Sequence, residues 1–193
     1  MDIQEVSADL WERLTTSFTA ADKWFEKAAD LRAYRPASGG WTIDELLEHI
    51  GLTNHFLLIL VNKGAAKALQ NVHGLDLQTE LEAATINHKK LREIGQPGTF
   101  AWMRPDHMEP TGTKPLSEVR EQLRQQVTHC LQTLESLKNG EGVLHKTTMS
   151  VNGLGKINVY EYLYFITPHT RRHIVQMERN EAEYYGVNRS TAQ

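Results

Sequence analysis

The chain has 193 residues, of which 40% are hydrophobic, and this size suits one domain (residues 1–193) with a sizeable core. Its formal net charge of −3 and its scattered basic residues argue against a nucleic-acid-binding protein. The longest apolar run, residues 56–61, is too short for a membrane helix, which needs about 20 residues. Because the single cysteine, Cys130, excludes an internal disulfide and the N-terminus lacks signal-peptide features, we expect a cytoplasmic protein.

Helical patterns cover the N-terminal half of the chain. Apolar residues at spacings of three and four predict a first helix over residues 7–31, followed by a break rich in proline and glycine. A second helix begins with a capping box, in which Thr42 caps and Glu45 bonds back, and it either frays near residues 62–64 or continues to about residue 70. A shorter third helix is predicted over residues 79–93.

The middle of the chain predicts a long connection, a further helix and a small irregular segment. Residues 95–115 contain four prolines and three glycines and predict a long crossover loop, which in a compact domain is often functional. The next helix is predicted over residues 117–138. Residues 144–157 contain an Asn-Gly pair between short β-prone runs, which predicts a hairpin or an irregular link.

The last predicted helix begins with Asn158 as its cap and ends near residue 185, with Gly186 just beyond it. Pro168 interrupts this pattern because proline removes a helical hydrogen bond and clashes with the preceding turn. The helix can kink and continue, or it can break so that Thr167 caps a new helix. We favour the kinked, continuous helix.

A pair of histidines on this helix is the most informative feature of the chain. His169 and His173 are four residues apart, so their imidazoles lie on one face and can bind one divalent metal ion. They share this face with Phe165, which indicates that the pair points inward or lies at the edge of the core. Since the chain has nine histidines, the spacing alone is also compatible with two ordinary hydrogen-bonded or exposed side chains.

His49, which has apolar neighbours on the second helix, is the candidate third ligand. A shared metal would satisfy one nitrogen of each inward-facing imidazole, whose burial is otherwise costly. His55 lies about 240° further round the helix and is excluded. In the long loop, His107 is either a lid or substrate contact or an exposed histidine. Trp102 either lines the mouth of a pocket or anchors the loop.

Three segments in the same order resemble the DinB-like superfamily. The segment from Trp41 to His49, W-T-I-D-E-L-L-E-H, is similar to its W-S-x-x-E-x-x-x-H segment. The segment from His169 to Gln176 is similar to its H-x-x-x-H-x-x-Q segment, and the loop from Phe100 to Gly112 resembles its proline-glycine connector. The set covers nearly the whole chain.

The resemblance implies an all-α four-helix bundle with a metal site at one end, held by His49, His169 and His173. Zinc or nickel is typical of such sites. Members are described as metal-dependent hydrolases, and relatives include transferases that use bacillithiol, mycothiol or similar thiols and a thiol-dependent maleylpyruvate isomerase. Many members form homodimers.

Two functions remain open from the sequence. In the first, the metal activates water or a low-molecular-weight thiol for a reaction on a small molecule, as a hydrolase or an S-transferase. Glu45 and Gln176 are candidates to support the ligands, although we favour a capping role alone for Glu45, and Gln176 can instead pack or face solvent. Arg171 and Arg172 either contact an acidic substrate or face solvent. The alternative is a non-catalytic, metal-stabilised bundle that acts as a stress-related binding or dimerisation module.

Overall fold

The structure, a computed structural model, describes residues 1–101 and 105–191, and its helices form a four-helix bundle. The four long helices are α1 (Ile3–Asp22), α3 (Ile43–Asn71), α6 (Leu116–Ser136) and α7 (Val159–Thr191). Three short helices accompany them: α2 (Ala29–Ala33), α4 (Leu77–Ala83) and α5 (His88–Glu93). An antiparallel hairpin joins α6 to α7, with strands β1 (Lys146–Met149) and β2 (Gly155–Asn158). The predicted all-α bundle and the hairpin are therefore confirmed.

The long helices pack as a square in which α1 and α3 occupy opposite corners, and each contacts both α6 and α7. Helix α1 runs parallel to α7, since Tyr164 bonds to Asp9 and Glu181 bonds to Lys27. Helix α3 runs antiparallel to α7, because its first turn lies near Asn180 and its later Gly64 lies against Val159. The chain reaches α6 from α3 through the long crossover, which contains α4, α5 and the loop.

Apolar stripes on the four long helices meet in a common core. Several of its largest side chains have no exposed surface: Leu10, Leu14, Leu47, Ile50, Leu163 and Ile166. The capping box of α3 forms as predicted, since the Glu45 amide donates to Thr42 Oγ1 over 3.2 Å and Glu45 Oε2 accepts from the Thr42 amide over 2.8 Å. Asn158 and Glu161 make the same exchange at the start of α7. Local sequence therefore determines where α3 and α7 begin.

The first predicted helix, residues 7–31, was wrong at its C-terminal part. Helix α1 ends at Asp22, and a 3₁₀ turn over Lys23–Glu26 separates it from α2. Trp24 and Phe25 are both buried in this turn. The helical periodicity of residues 7–31 therefore does not continue through this segment, where two adjacent aromatic side chains are packed into the core.

The third predicted helix, residues 79–93, consists of the two helices α4 and α5. The chain is extended between them because the Asn87 amide donates to the Glu161 carboxylate over 3.3 Å. Asn87 Oδ1 then caps α5 by accepting from the Lys90 amide. A tertiary contact with α7 therefore overrides the helical pattern.

Helix α7 is continuous across Pro168. Proline cannot donate to the Tyr164 carbonyl, and the buried Thr167 hydroxyl donates to that carbonyl instead, over 3.1 Å. The alternative of a helix break was wrong, and so was the predicted end at Gly186, since α7 extends to Thr191. None of the described helices is both long and apolar enough to cross a membrane.

Candidate metal centre

Three histidines from two helices meet inside one end of the bundle. His49 lies on the second turn of α3, and His169 and His173 lie on successive turns of α7, so the antiparallel packing of these helices brings them together. Their side chains are nearly inaccessible, with exposed fractions of 5%, 2% and 6%. The ring centroid of His173 lies 4.7 Å from that of His49 and 4.6 Å from that of His169. One nitrogen from each ring lies within 4.8 Å of the other two.

Hydrogen bonds at Nδ1 fix which nitrogen two of the rings present. His49 Nδ1 donates to the Met108 carbonyl over 2.7 Å, and His173 Nδ1 donates to Gln176 Oε1 over 2.6 Å. Because both acceptors are oxygens that carry no proton, the proton of each neutral ring is on Nδ1. Nε2 of His49 and Nε2 of His173 therefore carry lone pairs that can bind a metal.

Burial keeps two of the three imidazoles neutral. Burial, reinforced by the neighbouring His173 and His49, lowers the pKa of His169 well below its usual value of 6.5. Burial and the nearby His49 ring lower the pKa of His173 to about 3. Neutral imidazole is the form that coordinates metal ions, so these two rings need no deprotonation at pH 7.

The arrangement of nitrogens fits a divalent metal ion. His169 Nε2 and His173 Nε2 are 3.2 Å apart. Two ligands of a tetrahedral zinc ion, each about 2.1 Å from the metal, would be separated by about 3.4 Å. Imidazole suits zinc and nickel, and three protein ligands leave a coordination position for water or a substrate.

Aromatic rings form part of the wall around the histidines. The Trp41 ring centroid lies 4.7 Å from that of His49, and Phe165 stacks on His169 with centroids 6.2 Å apart. Asn180 on α7 donates to the Trp41 carbonyl over 2.8 Å and so fixes the residue that precedes the α3 cap. Apolar walls of this kind strengthen electrostatic interactions inside a site.

The two residues predicted to support the ligands have different surroundings. Gln176 contacts His173 directly, as support of a ligand requires. The Glu45 carboxylate instead accepts from Thr42 in the capping box and pairs with Arg35 over 2.5 Å. Burial opposes ionisation of Glu45, but the bonds from Arg35 and the Thr42 amide lower its pKa. The contacts of Glu45 are therefore those expected of a capping-box residue.

Sequence reasoning missed Glu48, which immediately precedes His49. Its carboxylate is 5% exposed and accepts three hydrogen bonds, from the Thr111 amide (3.1 Å), the Thr111 hydroxyl (2.9 Å) and the Gly112 amide (2.9 Å). A charged residue next to the candidate ligand, in a stretch that also contains Leu46, Leu47 and Ile50, was the signal that could have identified it. Glu48 ties the long loop to α3 beside the histidines.

The remaining candidates lie at the edge of this region. His107 stacks edge-on against Phe56, with ring centroids 4.3 Å apart, and His55 is exposed. Arg171 pairs with Glu178 over 3.2 Å, and Arg172 donates to the Gln96 carbonyl over 3.1 Å. Trp102 lies outside the described residues.

Comparison with known proteins identifies the family. No curated protein and no solved structure matches the chain significantly. A family model of the DinB superfamily matches residues 9–177, from within α1 to just beyond the histidine pair on α7. That match covers most of the chain, and the chain therefore belongs to the DinB superfamily.

Proposed function

We propose that this protein is a metal-dependent enzyme whose divalent ion, zinc or nickel, is bound by His49, His169 and His173. One observation carries the proposal: three buried imidazoles converge within 4.8 Å, and two of them hold their Nδ1 protons on oxygen acceptors. Burial of three imidazoles in a core is costly, and a shared metal ion would satisfy one nitrogen of each ring.

The reaction class follows from the donor set. A divalent ion held by three neutral ligands keeps its positive charge and, when bound, lowers the pKa of a coordinated water or thiol. We therefore propose either hydrolysis or transfer of a low-molecular-weight thiol to a small-molecule electrophile. Both reactions use the same three ligands.

The residues of the chain would perform the supporting tasks. Met108 and Gln176 hold the rings of His49 and His173 in the tautomer that exposes Nε2. Trp41 and Phe165 shield the rings from water. Such orienting contacts typically change metal affinity or activity by about 10- to 100-fold when they are removed.

Metal analysis tests the first step of the proposal. We expect the purified protein to contain about one zinc or nickel ion per chain by elemental mass spectrometry, because residues 1–101 and 105–191 contain one cluster of three potential ligands. His173→Ala should lose the metal, while His55→Ala, an exposed histidine on the same helix as His49, should retain it. Wild-type protein that binds no added divalent ion would exclude the proposal.

A second experiment separates the two reaction classes. The metal-loaded protein is incubated with esters, amides, epoxides and alkyl halides, with and without bacillithiol, mycothiol or glutathione. Turnover that requires a thiol supports the transferase, and turnover that ignores every thiol supports the hydrolase. Tight metal binding without turnover in any combination favours the non-catalytic module.

The homodimer that the family resemblance implies stays a prediction. Light scattering of the purified protein gives its mass in solution, which should be about twice the chain mass of 22.0 kDa. A mass equal to one chain would contradict it.

A further inference from the structure

Glu48 and His49 bind the same short segment of the long loop. Glu48 accepts from the amides of Thr111 and Gly112 and from the Thr111 hydroxyl, whereas His49 donates to the carbonyl of Met108, three residues earlier. Adjacent residues on α3 thus hold both ends of residues 108–112.

Other described contacts also join this part of the loop to α3. The 3₁₀ turn over Asp106–Met108 contacts α3, and His107 in it packs against the Phe56 ring, whereas His107 itself is exposed. The three bonds to Glu48 are partly buried and involve a charged acceptor, so each is stronger than an ordinary neutral hydrogen bond. Glu48 is therefore a strong anchor of the segment beside the histidines.

We propose that Glu48 is a positioning residue for His49. By holding residues 108–112 against α3, it places the Met108 carbonyl where it retains the His49 proton on Nδ1 and fixes the plane of the ring. Nε2 of His49 then points toward the other two histidines. As far as His49 is a metal ligand, the inference rests on the proposed function, but the tautomer itself is a property of the metal-free protein.

The pattern of bonds explains why a carboxylate is needed at position 48. Oε1 accepts both donors of Thr111, and Oε2 accepts the Gly112 amide. A glutamine retains one acceptor but presents an NH₂ group to the other donor, so at least one amide of the loop loses its partner. Glu48→Gln keeps the size of the side chain and removes at least one of its hydrogen bonds to the loop.

The tautomer of His49 provides a direct test. Nitrogen-15 NMR of labelled histidines in metal-free protein distinguishes a protonated from an unprotonated nitrogen in each ring, and His49→Gln assigns the resonances. Wild type should show a protonated Nδ1 and an unprotonated Nε2 at His49. In Glu48→Gln, the nitrogen-15 chemical shifts of His49 should move toward the values of a mixture of both tautomers. Zinc affinity should fall by about 10-fold or more.

Glu141→Gln is the matched control. Glu141 is another buried carboxylate, and it accepts two hydrogen bonds from Asn139 in the turn after α6, near the opposite end of the bundle. This variant should change stability without moving the His49 resonances. If Glu48→Gln does not fold, Thr111→Val, which removes the hydroxyl donor only, should produce a smaller change of the same resonances.

Two failures are distinguishable. A Glu48→Gln protein, or its Thr111→Val substitute, with wild-type His49 resonances would overturn the positioning role, whatever the metal affinity. Wild-type protein that binds no zinc, while Glu48→Gln shifts the tautomer, would overturn the metal function and leave the positioning role in place.

Discussion

Burial and hydrogen bonding act together on the individual histidines. Burial lowers the pKa of His169 and His173, so both rings are neutral at pH 7, and the bond from His173 Nδ1 to Gln176 selects the tautomer of one ring. A neutral ring with Nδ1 protonated is the species that a metal ion needs at Nε2. Burial and the bond to Gln176 therefore hold His173 in the form that can bind a metal ion through Nε2.

The lowered pKa values predict that the metal-free protein loses stability in mild acid. An unfolded histidine accepts a proton near pH 6.5, whereas folded His173 does so only near pH 3. Between these values the unfolded state binds more protons, so the free energy of unfolding falls as the pH drops, by about 1.4 kcal/mol per pH unit for each histidine. Urea unfolding at pH 7.0, 6.0 and 5.0 in the presence of a chelator measures this slope.

A histidine variant separates this effect from the titration of carboxylates. His173→Gln should reduce the loss of stability between pH 7 and pH 5 by about 2 kcal/mol, because its proton uptake on unfolding is removed. His73→Gln, in the exposed turn after α3, serves as the control and should leave the slope unchanged. Equal slopes in all three proteins would contradict the prediction.

Gln176 should matter for metal binding more than for folding. Gln176→Leu removes the oxygen that accepts the His173 Nδ1 proton, so zinc affinity should fall by about 10- to 100-fold. Gln176→Glu retains an acceptor and should preserve most of the affinity. Competition with a zinc-binding dye measures both, and unchanged affinity in the leucine variant would show that the contact is incidental.

At the scale of the element, α7 carries two of the three candidate ligands directly after a proline. The helix remains continuous because the Thr167 hydroxyl donates to the Tyr164 carbonyl, which would otherwise lack its helical partner. Gly95 at the start of the long loop lies close against Pro168, where an added Cβ would be 3.2 Å from the Pro168 carbonyl oxygen. The irregular turn is thus stabilised by its own side chain and covered by the loop.

Thr167→Val tests whether the Thr167 hydroxyl replaces the backbone donor that Pro168 lacks. Valine keeps the buried volume but leaves the Tyr164 carbonyl without the hydroxyl, so the free energy of unfolding should fall by about 1–3 kcal/mol. In a Pro168→Ala background the restored amide can donate to the Tyr164 carbonyl. Thr167→Val should then lower the free energy of unfolding by less. Urea unfolding of wild type, Thr167→Val, Pro168→Ala and the double variant measures both effects. An equal loss of stability from Thr167→Val in both backgrounds would refute the explanation.

At the scale of the whole molecule, Tyr160 links two segments of the chain at the end of the bundle opposite the histidines. Its hydroxyl donates to the Leu137 carbonyl after α6 and accepts from the Gly142 amide, so it connects the start of α7 to the turn that follows α6. The ring has no exposed surface. This junction helps set the position of α7 along the bundle axis.

Gly142→Ala should disrupt that junction. The added Cβ would lie 2.7 Å from Tyr160 Cε2 and 2.8 Å from Cζ, and the hydrogen bonds of the ring oppose its displacement. We expect a loss of about 2–3 kcal/mol in the free energy of unfolding, as for overpacking in other cores. Gly74→Ala, where an added Cβ meets nothing within 4 Å, should change stability by less than about 0.5 kcal/mol. Similar stabilities for both variants would contradict this account.

Local sequence was sufficient wherever the decisive contacts are local. The capping boxes at Thr42 and Asn158 fixed the starts of α3 and α7, and the Asn-Gly pair identified the hairpin between α6 and α7. The spacing of His169 and His173 placed two candidate ligands on one helical face. These features depend on residues three or four positions apart, which the chain specifies directly.

Contacts between distant segments decided the rest. The division of residues 79–93 into α4 and α5 depends on Glu161, and the end of α1 depends on burying Trp24 and Phe25. Glu48 was not recognised because its partners lie about sixty residues away in an irregular loop. The sequence by itself determined the helices and nominated the histidines, because helical periodicity is a local property. Only the tertiary structure decided that three rings converge, which tautomer His49 and His173 adopt and what holds them, since those depend on how separate helices and a loop pack together.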